Sequence, residues 1–178
     1  MKKLFTFLLF FVVFQSLPAE TSLNLNSSQL NGVSLAPYIW YLEDTTDSLE
    51  IQDILKPENS KKFIKNQSDS LNFGFKSHPF WFTFSVENSS SFPLEWVLEI
   101  GYPMLDQIEL FILKEDGTYE VKTEGDEKPF HERNVKYRNF LFELTEKPYS
   151  KNTYYIRITT TSKLSYTCLE SNQSYRKN

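Results

Sequence analysis

Residues 71–88 read LNFGFKSHPFWFTFSVEN, a span holding five phenylalanines and a tryptophan. From Phe80 onward the residues alternate: Phe80, Phe82, Phe84 and Val86 fall on one side of an extended chain, Trp81, Thr83, Ser85 and Glu87 on the other. Successive side chains of a strand point to opposite faces, so this period of two predicts a strand with one face in a core. Leu71, Phe73 and Phe75 are expected to bury themselves in the same way from a preceding strand. Each inward ring takes upwards of ~150 Å² out of water. Cys168 is the single cysteine, so no internal disulfide supports the fold and its core must hold it. Trp81 is out of phase with the phenylalanines, and two placements are open to it: beneath a neighbouring loop, or lining a groove.

The same logic extends along the chain. LEWVLEIG (94–101) sets Leu94, Trp96, Leu98 and Ile100 against Glu95 and Glu99, and the NSSSFP between it and the preceding strand supplies turn residues. These two strands are expected to pair antiparallel. QIELFIL (107–113), a turn at Gly117 and YEVKT (119–123) predict a hairpin. RNFLFEL (138–144) is expected to bury Phe140, Phe142 and Leu144. TYYIRIT (153–159) is expected to bury Tyr154, Ile156 and Ile158 while Tyr155 and Arg157 face away. YIWYLED (38–44) is a further strand. The one helical stretch is DSLEIQDILKP (47–57), with Asp47 or Ser48 as cap and Pro57 as stop. Short strands punctuated by turn clusters predict an all-β fold, a sandwich or barrel.

The ends differ from this middle. MKKLFTFLLFFVVFQSLPAE places Lys2 and Lys3 before an apolar run from Leu4 to Phe14 and then a Pro-Ala pair. That order predicts a signal peptide over residues 1–19, removed on export to the periplasm or beyond; the run is shorter than the ~20 residues a membrane helix needs. Residues 20–36, rich in Ser and Asn, are expected to be a flexible lead-in. The formal net charge of −4 becomes more negative once Lys2 and Lys3 are lost, which argues against nucleic acid or an anionic membrane surface as partner.

At YLEDTTDSLEIQDIL, DSLNFGFKSHPFWFTFSVENSS, LEWVLEIGYPMLDQIELFI and KPFHERNVKYRNFLFEL, the chain resembles the type 2 extracellular domain of the bacterial seven-transmembrane receptors with diverse intracellular signalling modules. The likeness runs from about Tyr38 to Lys163, within a sensor domain drawn at 37–163. It implies a jelly-roll β-sandwich similar to carbohydrate-binding modules, acting as the periplasmic input of a receptor. Thr83 stands where the family usually carries arginine. Beyond Lys163 the likeness fades into LSYTCLESNQSYRKN, so residues 164–178 are expected to be an unmatched polar tail without the family's membrane helices. A truncated receptor or a free-standing domain then fits, with an open sheet edge if the last strand is missing.

For function, catalysis lacks a recognisable apparatus. His78 and His131 are the only histidines, and no phosphate loop, serine elbow or histidine metal spacing occurs. Abundant Asp and Glu leave a glycosidase pair formally open, but most lie at outward strand positions or in turns, and no enzyme and no cofactor is expected. The acid-rich WYLEDTTDS and EGDE do not have the spacing of a calcium loop. The expected partner is a small extracellular ligand, carbohydrate preferred, with a homodimer as the alternative. Loops at strand ends carry the function of sandwiches. The candidate ligand-binding residues are Trp81, Tyr102 and Tyr137 for stacking on a sugar ring, with Asp106, His131, Arg133 and Arg138 for its hydroxyls or a carboxylate. Structural roles compete with these: Arg138 shares phase with Phe140 and can pair with Asp106, and Asp106 can fix its own turn.

Overall fold

The computed structural model describes residues 22–25, 32–114, 116–127, 137–161, 163–167 and 169–173. The alternating stretch forms β6 (Phe80–Asn88), the centre of the larger sheet. β6 pairs antiparallel with β11 (Ser150–Thr159), Phe84 opposite Tyr154 and Phe82 opposite Ile156. β11 pairs with β8 (Gln107–Leu113), and β8 with β9 (Tyr119–Glu124) in the predicted hairpin around Gly117. The other edge of β6 is shared between β3 (Trp40–Glu43), antiparallel along its first half, and β1 (Leu23–Asn24), parallel near its end. β4 (Ile64–Lys65) pairs outside β3. The second sheet runs β10 (Phe140–Glu146), β7 (Leu94–Ile100), β13 (Leu169–Gln173), β2 (Val33–Ser34). A separate ribbon joins β5 (Leu71–Phe75) to β12 (Lys163–Thr167). The chain is thus an all-β sandwich, as expected.

Between the two sheets lies the main core. Phe80, Phe82, Phe84, Val86, Tyr154, Ile156 and Leu110 come from one side, and Trp96, Leu98, Ile100, Phe140 and Phe142 from the other, all buried. Each such side chain contributes about 1.5–3 kcal/mol by leaving water. These are the inward residues that alternation selected.

The far face of the larger sheet is covered too, and this explains why β6 is buried on both sides. Trp81 and Phe111 meet Ile51, Ile54 and Phe63 there, with Trp40, Leu42 and Tyr155 packed around them. Ile51 and Ile54 belong to α1 (Ile51–Ile54), which is followed by α2 (Pro57–Ser60). The single predicted helix is therefore two one-turn helices. Glu50, not Asp47 or Ser48, stands at the α1 cap, its N–H donating to Asp53 Oδ2 at 3.2 Å. Pro57 opens α2 instead of only ending α1, because the first helical position needs no N–H partner and suits its fixed φ.

Four expectations are corrected. The strands at 80–88 and 94–100 do not pair with each other: Ser89–Pro93 carries the chain from one sheet to the other, so β6 and β7 face across the core. Phe75 is 78% exposed, because Gly74 turns the backbone through φ +72 and breaks the alternation that holds for Leu71. The segment expected to be a loose lead-in supplies β1 and β2, with Leu23, Leu25 and Leu35 buried. The expected polar tail supplies β13, which sits inside the second sheet between β7 and β2 and leaves β7 without an open edge. Residues 1–19 lie outside the described residues. Among the described residues no helix is long and apolar enough to cross a membrane.

Candidate functional site

One end of the sandwich receives four of the predicted site residues, Tyr102, Asp106, Tyr137 and Arg138. β7 leaves the second sheet at Ile100 and β8 enters the first at Gln107, so residues 101–106 must bridge the two layers. β10 begins opposite Ile100, which brings Tyr137 and Arg138 to the same end. The bridge is braced from two sides. Thr161 N–H donates to Asp106 Oδ2 at 2.7 Å, and the Thr160 hydroxyl donates to the Met104 carbonyl at 3.3 Å. On the other flank Asp126 N–H donates to the Leu105 carbonyl at 2.8 Å. That contact requires Gly125: a Cβ there would lie 2.2 Å from the Asp106 carbonyl oxygen, so only a glycine lets the two backbones approach.

On this braced loop Leu105 is buried, Tyr102 packs half-buried against the main core, and Met104 is 52% exposed. Asp106 is half-buried and occupied with Thr161, so it fixes its own turn. Arg138 is exposed and does not enter the sandwich to meet Asp106; Tyr137 beside it is half-buried. The strand begins at Phe140, and Arg138 precedes it where strand phase no longer dictates direction. His131 and Arg133 lie outside the described residues. The chemistry available at this end is therefore a tyrosine and a thioether on the braced bridge, with a second tyrosine and an exposed guanidinium on the approach to β10.

Trp81 is corrected. It is wholly buried under α1, about 5.5 Å from Phe111 between ring centroids, so it belongs to the outer core layer and offers no face to a ligand. Thr83 is buried on the same face, and its hydroxyl has no partner among the described residues. The acid-rich segment at 43–47 is likewise occupied. Asp44 accepts from the Thr46 hydroxyl at 2.7 Å and from the N–H groups of Thr46, Ser48 and Leu49 at 3.1, 3.1 and 2.9 Å. Burial opposes its ionisation, but the Thr46 hydroxyl and these N–H groups outweigh it and hold the carboxyl below its ordinary pKa. Asp47 instead pairs with Arg157 at 3.0 Å, which also reaches Glu109 at 3.3 Å. Among the described residues no three His, Cys, Asp or Glu side chains converge as metal ligands.

The brace does not follow from strand periodicity or from charge. Its one signal in the sequence is Gly125 in EGDE, where the glycine marks a close backbone approach.

None of the curated proteins compared with the chain matches it. The family model described as 7TMR-DISM extracellular 2 matches residues 36–168, a span that begins at the first packed turn of the sandwich and runs through β12. The chain belongs to the 7TMR-DISM extracellular 2 family, the extracellular sensor domains of receptors.

Proposed function

We propose that this domain is exported after loss of residues 1–19 and senses a small polar ligand, carbohydrate preferred, without catalysing its turnover. The observation that carries this reading is the braced bridge at 101–106. A recognition loop held from both flanks loses little entropy when it binds, and here it carries Tyr102 at the end of the sandwich that Tyr137 and the exposed Arg138 also reach. Tyrosine rings suit the C–H faces of a sugar, and the planar guanidinium suits its hydroxyls or a carboxylate. Occupancy would bias one of two arrangements of the domain, or of a pair of domains, and a receptor reports that bias.

A second reading, self-association, is favoured by Phe75, 78% exposed, and Ile64, 57% exposed, on short strands. Glycan arrays and calorimetry on the purified protein, with Tyr102→Ala and Arg138→Ala compared, test the first reading. The expected result is a sugar whose affinity falls in both variants; a folded protein that ignores every sugar and carboxylate while its mass rises with concentration supports the second.

A further inference from the structure

The opposite end of the sandwich holds a cleft of about 450 Å³. It opens where the edges of the two sheets part, between the end of β8 at Ile112–Lys114, the end of β10 at Thr145 and the start of β11 at Ser150–Tyr154. Nearer the middle of the molecule Lys122 of β9 spans the same gap, its Nζ donating to the Glu143 carbonyl at 2.7 Å. Ile112 gives the cleft an apolar wall, and Thr145, Ser150 and Asn152 give it short polar groups. Its floor is rigid. Asn152 and Tyr154 both donate to Glu146, a side chain wholly buried behind them. With its amide nitrogen so committed, Asn152 is oriented and keeps its carbonyl oxygen as an acceptor.

A strained tyrosine lies on the turn between two of the lining residues, Lys147 and Ser150. Pro148 and Tyr149 make the turn between β10 and β11, and Tyr149 adopts φ +52. After a proline at a turn's second position, that backbone state is one glycine or asparagine fills most cheaply. A tyrosine there carries a conformational cost, and packing does not return it, because the side chain is 75% exposed. The turn is nonetheless firmly held. Tyr149 N–H donates to the Ser90 carbonyl at 3.2 Å, and the buried Asn88 amide donates to the carbonyls of Phe92 and Lys147, both at 2.9 Å. A rigid mount, an outward ring and an adjoining polar cleft are what stacking on a sugar ring requires. At the rim Lys114 and Lys147 stand against Asp116, whose Oδ1 already accepts from the Thr118 N–H and hydroxyl. Lys114 gives the rim a cation to set against a ligand's carboxylate.

We infer that this cleft is a saccharide site, with Tyr149 as its stacking platform and an acidic sugar as its ligand. It is separate from the braced bridge at the other end, and shares with the proposed function only that the domain binds sugars. Calorimetry with digalacturonate, and with cellobiose as the neutral probe, tests it on the purified protein. Tyr149→Gly removes the ring and relieves the backbone, so the melting temperature should hold or rise while digalacturonate affinity falls at least about tenfold. Lys114→Ala should weaken digalacturonate and leave cellobiose unaffected. Undiminished binding by Tyr149→Gly overturns the inference. So does loss of binding in Arg138→Ala alone, which would return recognition to the bridge and leave the proposed function standing. Binding of cellobiose only overturns the acidic ligand, and no binding of either probe by the folded protein overturns the site.

Discussion

The indole N–H of Trp96 donates to Oε1 of Glu146 at 3.0 Å, and both residues are shut off from solvent. Trp96 belongs to the second sheet, while Tyr154 and Asn152, which donate to the same carboxyl group, belong to the first. One side chain therefore links the two layers at the end of the core. Removing it strands the indole N–H and the phenol O–H in an apolar setting, where each unpaired donor costs about 1–3 kcal/mol. Glu146→Ala is expected to lower stability by roughly 3–5 kcal/mol in urea unfolding, and Glu146→Gln by less, since the amide oxygen still accepts.

Tyr154 makes this region sensitive to alkali. Burial raises its pKa well above the tyrosine range, and the charge of Glu146 and the hydrogen bond donated to it add to the effect. A raised folded value means the stabilisation is complete below the unfolded pKa of about 10. Above that, the unfolded chain releases a proton the folded chain keeps, and stability falls by about 1.4 kcal/mol per pH unit. Urea titrations on either side of that pKa should show this slope, and Tyr154→Phe should flatten it.

The opposite limb belongs to Asp44. Its lowered pKa contributes stability that is present above the unfolded value near ~3.9 and is lost as pH falls through the folded value. Asp44→Asn is expected to cost about 1–3 kcal/mol near neutrality and to shrink the difference in melting temperature between neutral and acid buffer. An unchanged acid limb in this variant would place the effect elsewhere.

Gly125→Ala is expected to lose about 1–3 kcal/mol, because its Cβ would meet the Asp106 carbonyl. The loop should loosen with it. Hydrogen exchange should quicken at Asp126 N–H, which the close approach pairs with Leu105, and at Thr161 N–H on the other flank.

Trp81→Ala should cost about 3–5 kcal/mol, as expected for emptying a buried aromatic position. The exposure of Ile51 and Ile54 should rise with it, since they pack in the same cluster. Sugar affinity measured on whatever fraction stays folded should not change; a selective loss of binding at full stability would restore Trp81 to the ligand site.

Much of the scaffold was legible locally. Phe80, Phe82 and Phe84 face the core because alternation is a property of the extended backbone itself, and the β8–β9 hairpin is written in the turn residues around Gly117. Phe75 shows where that reasoning stops: one glycine at positive φ directly after Phe73 is enough to turn the next ring outward. The candidate site was legible in part. Tyr102, Tyr137 and Arg138 do reach one end, while the reading that stacked a ligand on Trp81 missed the helices that cover it.

The sequence by itself determined which residues are extended and which side of each strand is apolar, since both depend on neighbours one and two positions away. Which strand lies beside which was decided only in three dimensions. The residues after Asn88 look like a hairpin turn but cross between sheets, and β1 and β13, drawn from segments that appear featureless alone, find their partners on β6 and β7. Pairing joins residues far apart in the chain, and its free energy comes from burying both faces of the assembled layers at once, a quantity no local pattern contains.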